Sequence, residues 1–176
     1  MAESTAERPA SSFSEAVGAL ASSLRESAGP GRRGLSRGDR AELRRMAVKE
    51  RVPPEAYWNL AREHPMLERD YRFWREVIPF MVRHPHSRGA HPGRVLEQAK
   101  VSPSRVERWL RLDRNDALHQ TGRLLSKVEG GIDWVQLAGL LMTWDDAGRL
   151  RFAKDFYLSG RPDPKNNSAD REGQAE

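Results

Sequence analysis

Apolar residues recur at three- and four-residue intervals along most of the chain, the spacing of helices that bury one face. Phe13, Val17, Leu20 and Leu24 form the first run and predict a short amphipathic helix over 13–26, ended by Gly29-Pro30-Gly31. Ser36 is placed to cap a second helix reaching about Lys49, with Leu43, Met46 and Ala47 on one side and Arg37, Arg44 and Arg45 pointing away. Pro53-Pro54 begins a third, whose apolar content is Tyr57, Trp58 and Leu60. Proline is tolerated in a first turn because the amide it lacks has no partner there. Leu67 to Val82 is the longest candidate, with Tyr71, Phe73, Trp74, Val77, Ile78, Phe80 and Met81 on its apolar face. Pro79 inside this run removes a donor and crowds the preceding turn, so a kink or break is expected near Ile78.

Residues 84–92, rich in His, Pro, Gly and Ser, read as a linker loop. Beyond it a short helix spans 93–99. Ser102-Pro103 opens another to about Leu112, and Asp113 or Asn115 caps one running to Val128, before Gly130-Gly131. Asp133 caps a helix through Trp144, and Asp145 or Asp146 starts the last, to about Leu158. β-branched residues are scarce and two-residue alternation is absent, so no strand is predicted. The fold class is all-α, with about eight or nine helices in two small lobes, 13–83 and 93–159. The polar ends, 1–12 and 160–176, read as disordered tails.

Charge changes this picture. The chain carries a net charge of +5, almost all of its cations being arginine. The guanidinium fork fits phosphate oxygens and desolvates readily. A basic balance alone is also what a soluble arginine-rich protein shows. The chain has no cysteine, which excludes disulfides, Cys-ligated zinc, iron–sulfur clusters and thiol nucleophiles and fits the cytoplasm. No apolar run approaches the roughly 18 residues of a membrane span, so no membrane partner is expected. Glu3 and Glu7 stand where a secretory signal would be basic.

The surplus is concentrated. On a helical wheel of 104–112, Val106, Trp109 and Leu110 cluster on one side, while Arg105, Arg108 and Arg111 fan across the other and Arg114 follows. In the next helix Leu118, Thr121, Leu124, Leu125 and Val128 face inward, with Arg123 and Lys127 outside. From Lys100 to Lys127 there are seven basic and three acidic residues. Such a face can track phosphates without reading sequence; it can equally be a solvated surface. Arg44 and Arg45, with Arg37 and Arg40, form a second basic cluster, partly offset by Asp39 and Glu42. Arg69, Arg72 and Arg75 share a helix with Glu68, Asp70 and Glu76, so that face can compensate itself.

Other candidates point to structure. Trp74, Trp109, Trp134 and Trp144 sit among apolar neighbours, as core residues do. His84, His86 and His91 share one loop, but their spacing fits no common zinc site. Asp133, Asp145 and Asp146 are explained by helix capping. No catalytic triad, glycine-rich phosphate loop or carboxylate pair can be drawn. The chain therefore reads as a non-enzyme without cofactor or metal.

One ordered set of motifs is informative. Leu-Arg-Leu-Asp-Arg at 110–114, Gly-Arg-Leu-Leu at 122–125, Asp-Trp at 133–134, Thr-Trp at 143–144 and Asp-Phe at 155–156 resemble the CasB family, the small subunit of the type I-E CRISPR complex Cascade. Ala-Glu-Leu-Arg-Arg at 41–45 resembles its early basic helix, and Gly93-Arg94 with Leu96 its motif after the central loop. The resemblance covers about residues 13–159. It implies an elongated, two-lobed helical protein, present in two copies and bound to the other Cascade subunits. It would contact guide RNA and target DNA, including the displaced strand of the R-loop, in antiviral defence. By similarity the nucleic-acid contacts fall on Arg69, Arg111, Arg114 and Arg123, with Arg44 and Arg45; Arg94, Arg105, Arg108 and Lys127 complete the candidate set. Two positions depart from the family pattern: Gly122 stands where a first arginine is common, and Asp146 where a base is. The alternative to this function is a helix-turn-helix regulator reading duplex DNA through 104–112.

Overall fold

A computed structural model describes residues 12–25, 35–46 and 52–159. The predicted tails, except Ser12, and the Gly29-Pro30-Gly31 turn lie outside the described residues, as does the end of the second predicted helix beyond Met46. The described residues form ten α-helices: α1 Phe13–Ser23, α2 Arg37–Arg45, α3 Glu55–Glu63, α4 Met66–Arg69, α5 Tyr71–Arg83, α6 Pro92–Gln98, α7 Pro103–Leu110, α8 Arg114–Leu124, α9 Trp134–Thr143 and α10 Asp146–Tyr157. A 3₁₀ turn, Leu125–Lys127, extends α8. Among the described residues there is no strand, and no helix is long and apolar enough to cross a membrane. The chain is all-α, as its periodicity predicts.

Most helix starts follow their caps. Ser12 and Ser36 form capping boxes with Glu15 and Asp39. Asp113, Asp133 and Asp145 each accept amides of the helix they begin. Ser102 precedes Pro103 at the start of α7, but its side chain accepts no capping amide.

The long central helix departs from expectation. It runs unbroken through Pro79, and the interruption falls earlier, at Asp70, whose backbone (φ −125°, ψ 55°) separates α4 from α5. This split gives one helix more than the sequence indicates. Pro79 is tolerated because it and its neighbours Ile78, Met81 and Val82 are buried. That packing outweighs the ~3 kcal/mol a helix-interior proline costs. Glu76 takes part in compensating Arg75, but from a buried position, and its carboxylate lies 2.8 Å from His119 on α8. Burial, first of all, holds the Glu76 carboxyl above its ordinary range, against opposing effects of the neighbouring His119 and Arg75.

The apolar residues form one cluster fed by both halves of the chain. α1 packs on α9, α5 on α8 and α9, and α6 on α10. α6 and α10 approach closely at Gly93, where an added Cβ would lie 2.5 Å from the Phe152 carbonyl oxygen. The segment between α5 and α6 docks on the start of α9. Ser87 N–H donates to Ile132 O, Ile132 N–H to Pro85 O and Asp133 N–H to Ala90 O. The histidines serve this junction: His86 Nδ1 accepts from Trp134 N–H, and His84 O accepts from the Trp134 indole. Among the described residues no three His, Cys, Asp or Glu are grouped to hold a metal ion.

Candidate nucleic-acid interface

Two kinds of arginine are present. The first kind is structural. Helices end with carbonyls that lack an intrahelical partner, and arginines from other elements supply it. Arg40 donates to Leu24 O after α1, Arg83 to Arg44 O in α2, Arg114 to Leu141 O in α9 and Arg149 to Leu110 O in α7. Arg149 also pairs with Asp146 and lies over the Trp144 ring. Asp146 thus holds an arginine that fastens α10 to α7.

The second kind faces solvent. All ten candidate residues, Arg44, Arg45, Arg69, Arg94, Arg105, Arg108, Arg111, Arg114, Arg123 and Lys127, are exposed. Arg105 and Arg108 of α7 and Arg123 of α8 converge on one cleft of about 510 Å³, lined also by Trp109, Gln120, Gly122, Leu124 and Ser126. No carboxylate lines it. Among the described residues none of these three arginines has an acid within ion-pair distance; the ion pairs include His91–Asp155, Arg111–Glu107, His119–Glu76 and Arg149–Asp146.

The convergence follows from the packing of the two helices. Val106 and Trp109 bury the inner face of α7. Ala117, Leu118, Thr121 and Leu124 bury that of α8. The Trp109 indole donates to Ala117 O at 2.9 Å, fixing the crossing. Trp144 seals the far side, edge-on to Trp109 at 4.9 Å and donating to Leu112 O. The outer faces are then held side by side, and their cations share the cleft.

The remaining candidates lie apart. Lys127 shares a second cleft with Lys100, Gln98 and Glu129. Arg44 lines a third with Arg37, Arg40 and Ala41, all on α2. Arg45 donates to Ala41 O on its own helix. Arg111 caps α7 and stands 4.0 Å from Glu107, both side chains well exposed. Arg114 is exposed at the start of α8, yet its Nε is committed to Leu141 O and its guanidinium sits 5.8 Å from the Phe73 ring. Arg69 ends α4 and Arg94 stands on α6, outside these clefts. Gln120 and Ser126 were not foreseen as cleft residues; Gln120 lies one turn before Arg123, the signal that could have found it.

The chain matches the family model of CRISPR-associated protein Cse2 over residues 39–157, a span that contains all ten candidate residues. It is also similar to a chain in the crystal structure of E. coli Cascade bound to a PAM-containing dsDNA target. The two share 25% sequence identity with a TM-score of 0.61, over 80% of this chain and 93% of that one. No curated protein matches the chain in sequence. The matched span, the all-α fold and the motifs within it agree: the chain belongs to the Cse2 family of CRISPR-associated proteins, the family also called CasB.

Proposed function

We propose that this chain is the non-catalytic small subunit of a type I-E Cascade surveillance complex, and that it grips nucleic-acid backbone without reading sequence. In that role it stabilises the hybrid of guide RNA and target and the displaced strand of the R-loop. Its partners are the other Cascade subunits, a second copy of itself and the nucleic acids. The observation that carries the reading is the cleft where Arg105, Arg108 and Arg123 meet with no carboxylate among its lining residues. Cations left unneutralised by the fold are placed to release counterions from phosphates. Exchange of a DNA duplex for a guide hybrid is nearly balanced, so modest backbone contacts can tip it. The similarity to a chain from a target-bound Cascade supports the same reading.

The test is a complex assembled from the remaining Cascade subunits, guide RNA and this chain carrying Arg105→Gln, Arg108→Gln and Arg123→Gln. Assembly should persist and R-loop lifetime should shorten several-fold. An unchanged lifetime in an intact complex would overturn the proposal.

A further inference from the structure

Trp58 differs from the other four tryptophans. Trp74, Trp109, Trp134 and Trp144 are at most 9% exposed, whereas Trp58 is 41% exposed. Its ring lies nearly parallel to that of Tyr71, 7° between planes and 6.0 Å between centroids. Tyr57 meets both rings edge-on, at 5.5 Å from Trp58 and 5.9 Å from Tyr71. Tyr57 is itself fully buried and anchored, its hydroxyl donating to Leu67 O at 2.9 Å. A buried phenol thus braces two parallel, stacked rings from α3 and α5 as a rigid shelf, with the Trp58 ring open to solvent.

We propose that this shelf stacks an unpaired nucleobase. The inference rests on the nucleic-acid reading above and adds to it a contact with a base, where the arginine cleft offers only contacts to phosphate. Aromatic faces accept any base, because every base has a π-face. A rigid shelf loses little freedom when the base arrives.

Charges of both signs flank the shelf, with one guanidinium over its Tyr71 ring. Each ring has a glutamate three residues before it and an arginine four residues after: Glu55, Trp58 and Arg62 in α3, and Glu68, Tyr71 and Arg75 across α4 and α5. The Arg75 guanidinium lies 5.6 Å from the Tyr71 centroid. The surroundings argue against a protein partner. Across α3, α4 and α5, Trp58 is the one large apolar side chain at this level of exposure among the described residues. Protein-docking faces expose contiguous apolar patches, not a single ring among charges.

The experiment compares the full chain with its Trp58→Ala and Trp58→Phe variants. Each is titrated against a labelled deoxythymidine oligonucleotide and an abasic oligonucleotide of equal length. The native chain should prefer the oligonucleotide with bases. Trp58→Ala should lose about ten-fold in affinity for it and nothing for the abasic strand, while Trp58→Phe keeps most of the preference. Because the ratio is read within each protein, partial loss of fold cannot imitate the result. Salt-sensitive binding with an unaltered ratio would overturn the shelf and leave the backbone reading standing. Absence of binding to either strand would overturn both. An unaltered ratio with weakened assembly into the Cascade complex would make Trp58 a protein contact and also overturn the shelf.

Discussion

The ring of Phe80 on α5 occupies the space where a side chain at Gly122 of α8 would begin: an added Cβ there would lie 2.6 Å from Phe80 Cε1 and 2.8 Å from Cζ. Gly122 therefore lets α5 and α8 close on each other beside the arginine cleft. Gly122→Arg is expected to destabilise the fold by roughly 1–3 kcal/mol, because Phe80 must leave its position. The coupled variant Phe80→Ala with Gly122→Arg should recover part of that loss, since residues in contact are not additive. Thermal unfolding of the four proteins in the cycle measures the coupling.

Gly93 should be less forgiving. A Cβ at 93 would meet the Phe152 carbonyl oxygen at 2.5 Å and the Phe156 amide nitrogen at 2.7 Å, both backbone atoms of α10. No rotamer change relieves such a clash, so α10 must shift away from α6. Gly93→Ala is expected at or above the upper end of the roughly 1–3 kcal/mol range for overpacking. At that level the Tm should fall by about 6–12 °C. A melting curve within a degree or two of the native one would refute the close approach.

These two glycines show what the sequence could and could not reveal. Gly93 and Gly122 fall inside motifs that carried the family resemblance, yet their partners Phe152 and Phe80 are distant in sequence, so nothing local indicated the contacts. The faces of α7 and α8 were legible because their amphipathic spacing is regular: Val106, Trp109, Leu118, Thr121 and Leu124 are all buried as the wheel placed them. The convergence of Arg123 with Arg105 and Arg108 was not legible, since it depends on how two helices cross. Of the kink or break expected near Ile78, the break is absent for a related reason. The local proline rule pointed to Pro79, but burial of its neighbours, which no local rule reports, holds that turn together, and the interruption lies at Asp70. Trp58 shows the converse. Its apolar character placed it with the content of α3, and only the fold shows its ring facing out. Some exposed arginines also proved to be helix fasteners, a role that depends on which carbonyl the fold brings near.

Acid should weaken the fold through two histidines. Burial lowers the pKa of His64, against a smaller opposing effect of Glu63. Burial also lowers that of His84, with a hydrogen bond to Gly130 opposing it and the Arg83 charge adding to it. His64 Nε2 lies 2.9 Å from Ser23 Oγ, joining α1 to the end of α3. A base whose folded pKa is depressed binds fewer protons folded than unfolded, so stability rises with pH across that interval. It should therefore be full above the ordinary imidazole range and decline as pH falls through it. Melting temperatures across that range should trace the decline, and His64→Asn with His84→Asn should flatten it. An equally steep decline in the double variant would assign the acid sensitivity elsewhere.

The arginine cleft makes a quantitative claim about salt. If Arg105, Arg108 and Arg123 each neutralise a phosphate of a single strand, each contributes about 0.7 to the slope of log K against log salt. Replacing all three by glutamine should reduce that slope by about 2 and weaken binding most at low ionic strength. The loss should be the same for oligonucleotides of unrelated sequence, because phosphates carry no sequence information. Replacing Arg40, Arg83 and Arg149 should act differently. Those guanidiniums hold helix-end carbonyls, so their removal is expected to lower the Tm and leave the slope of the folded protein nearly intact. Anisotropy titrations at several salt concentrations, paired with melting curves, separate the two sets. Equal slopes for the native chain and the cleft variant would mean that the convergent arginines do not touch the strand.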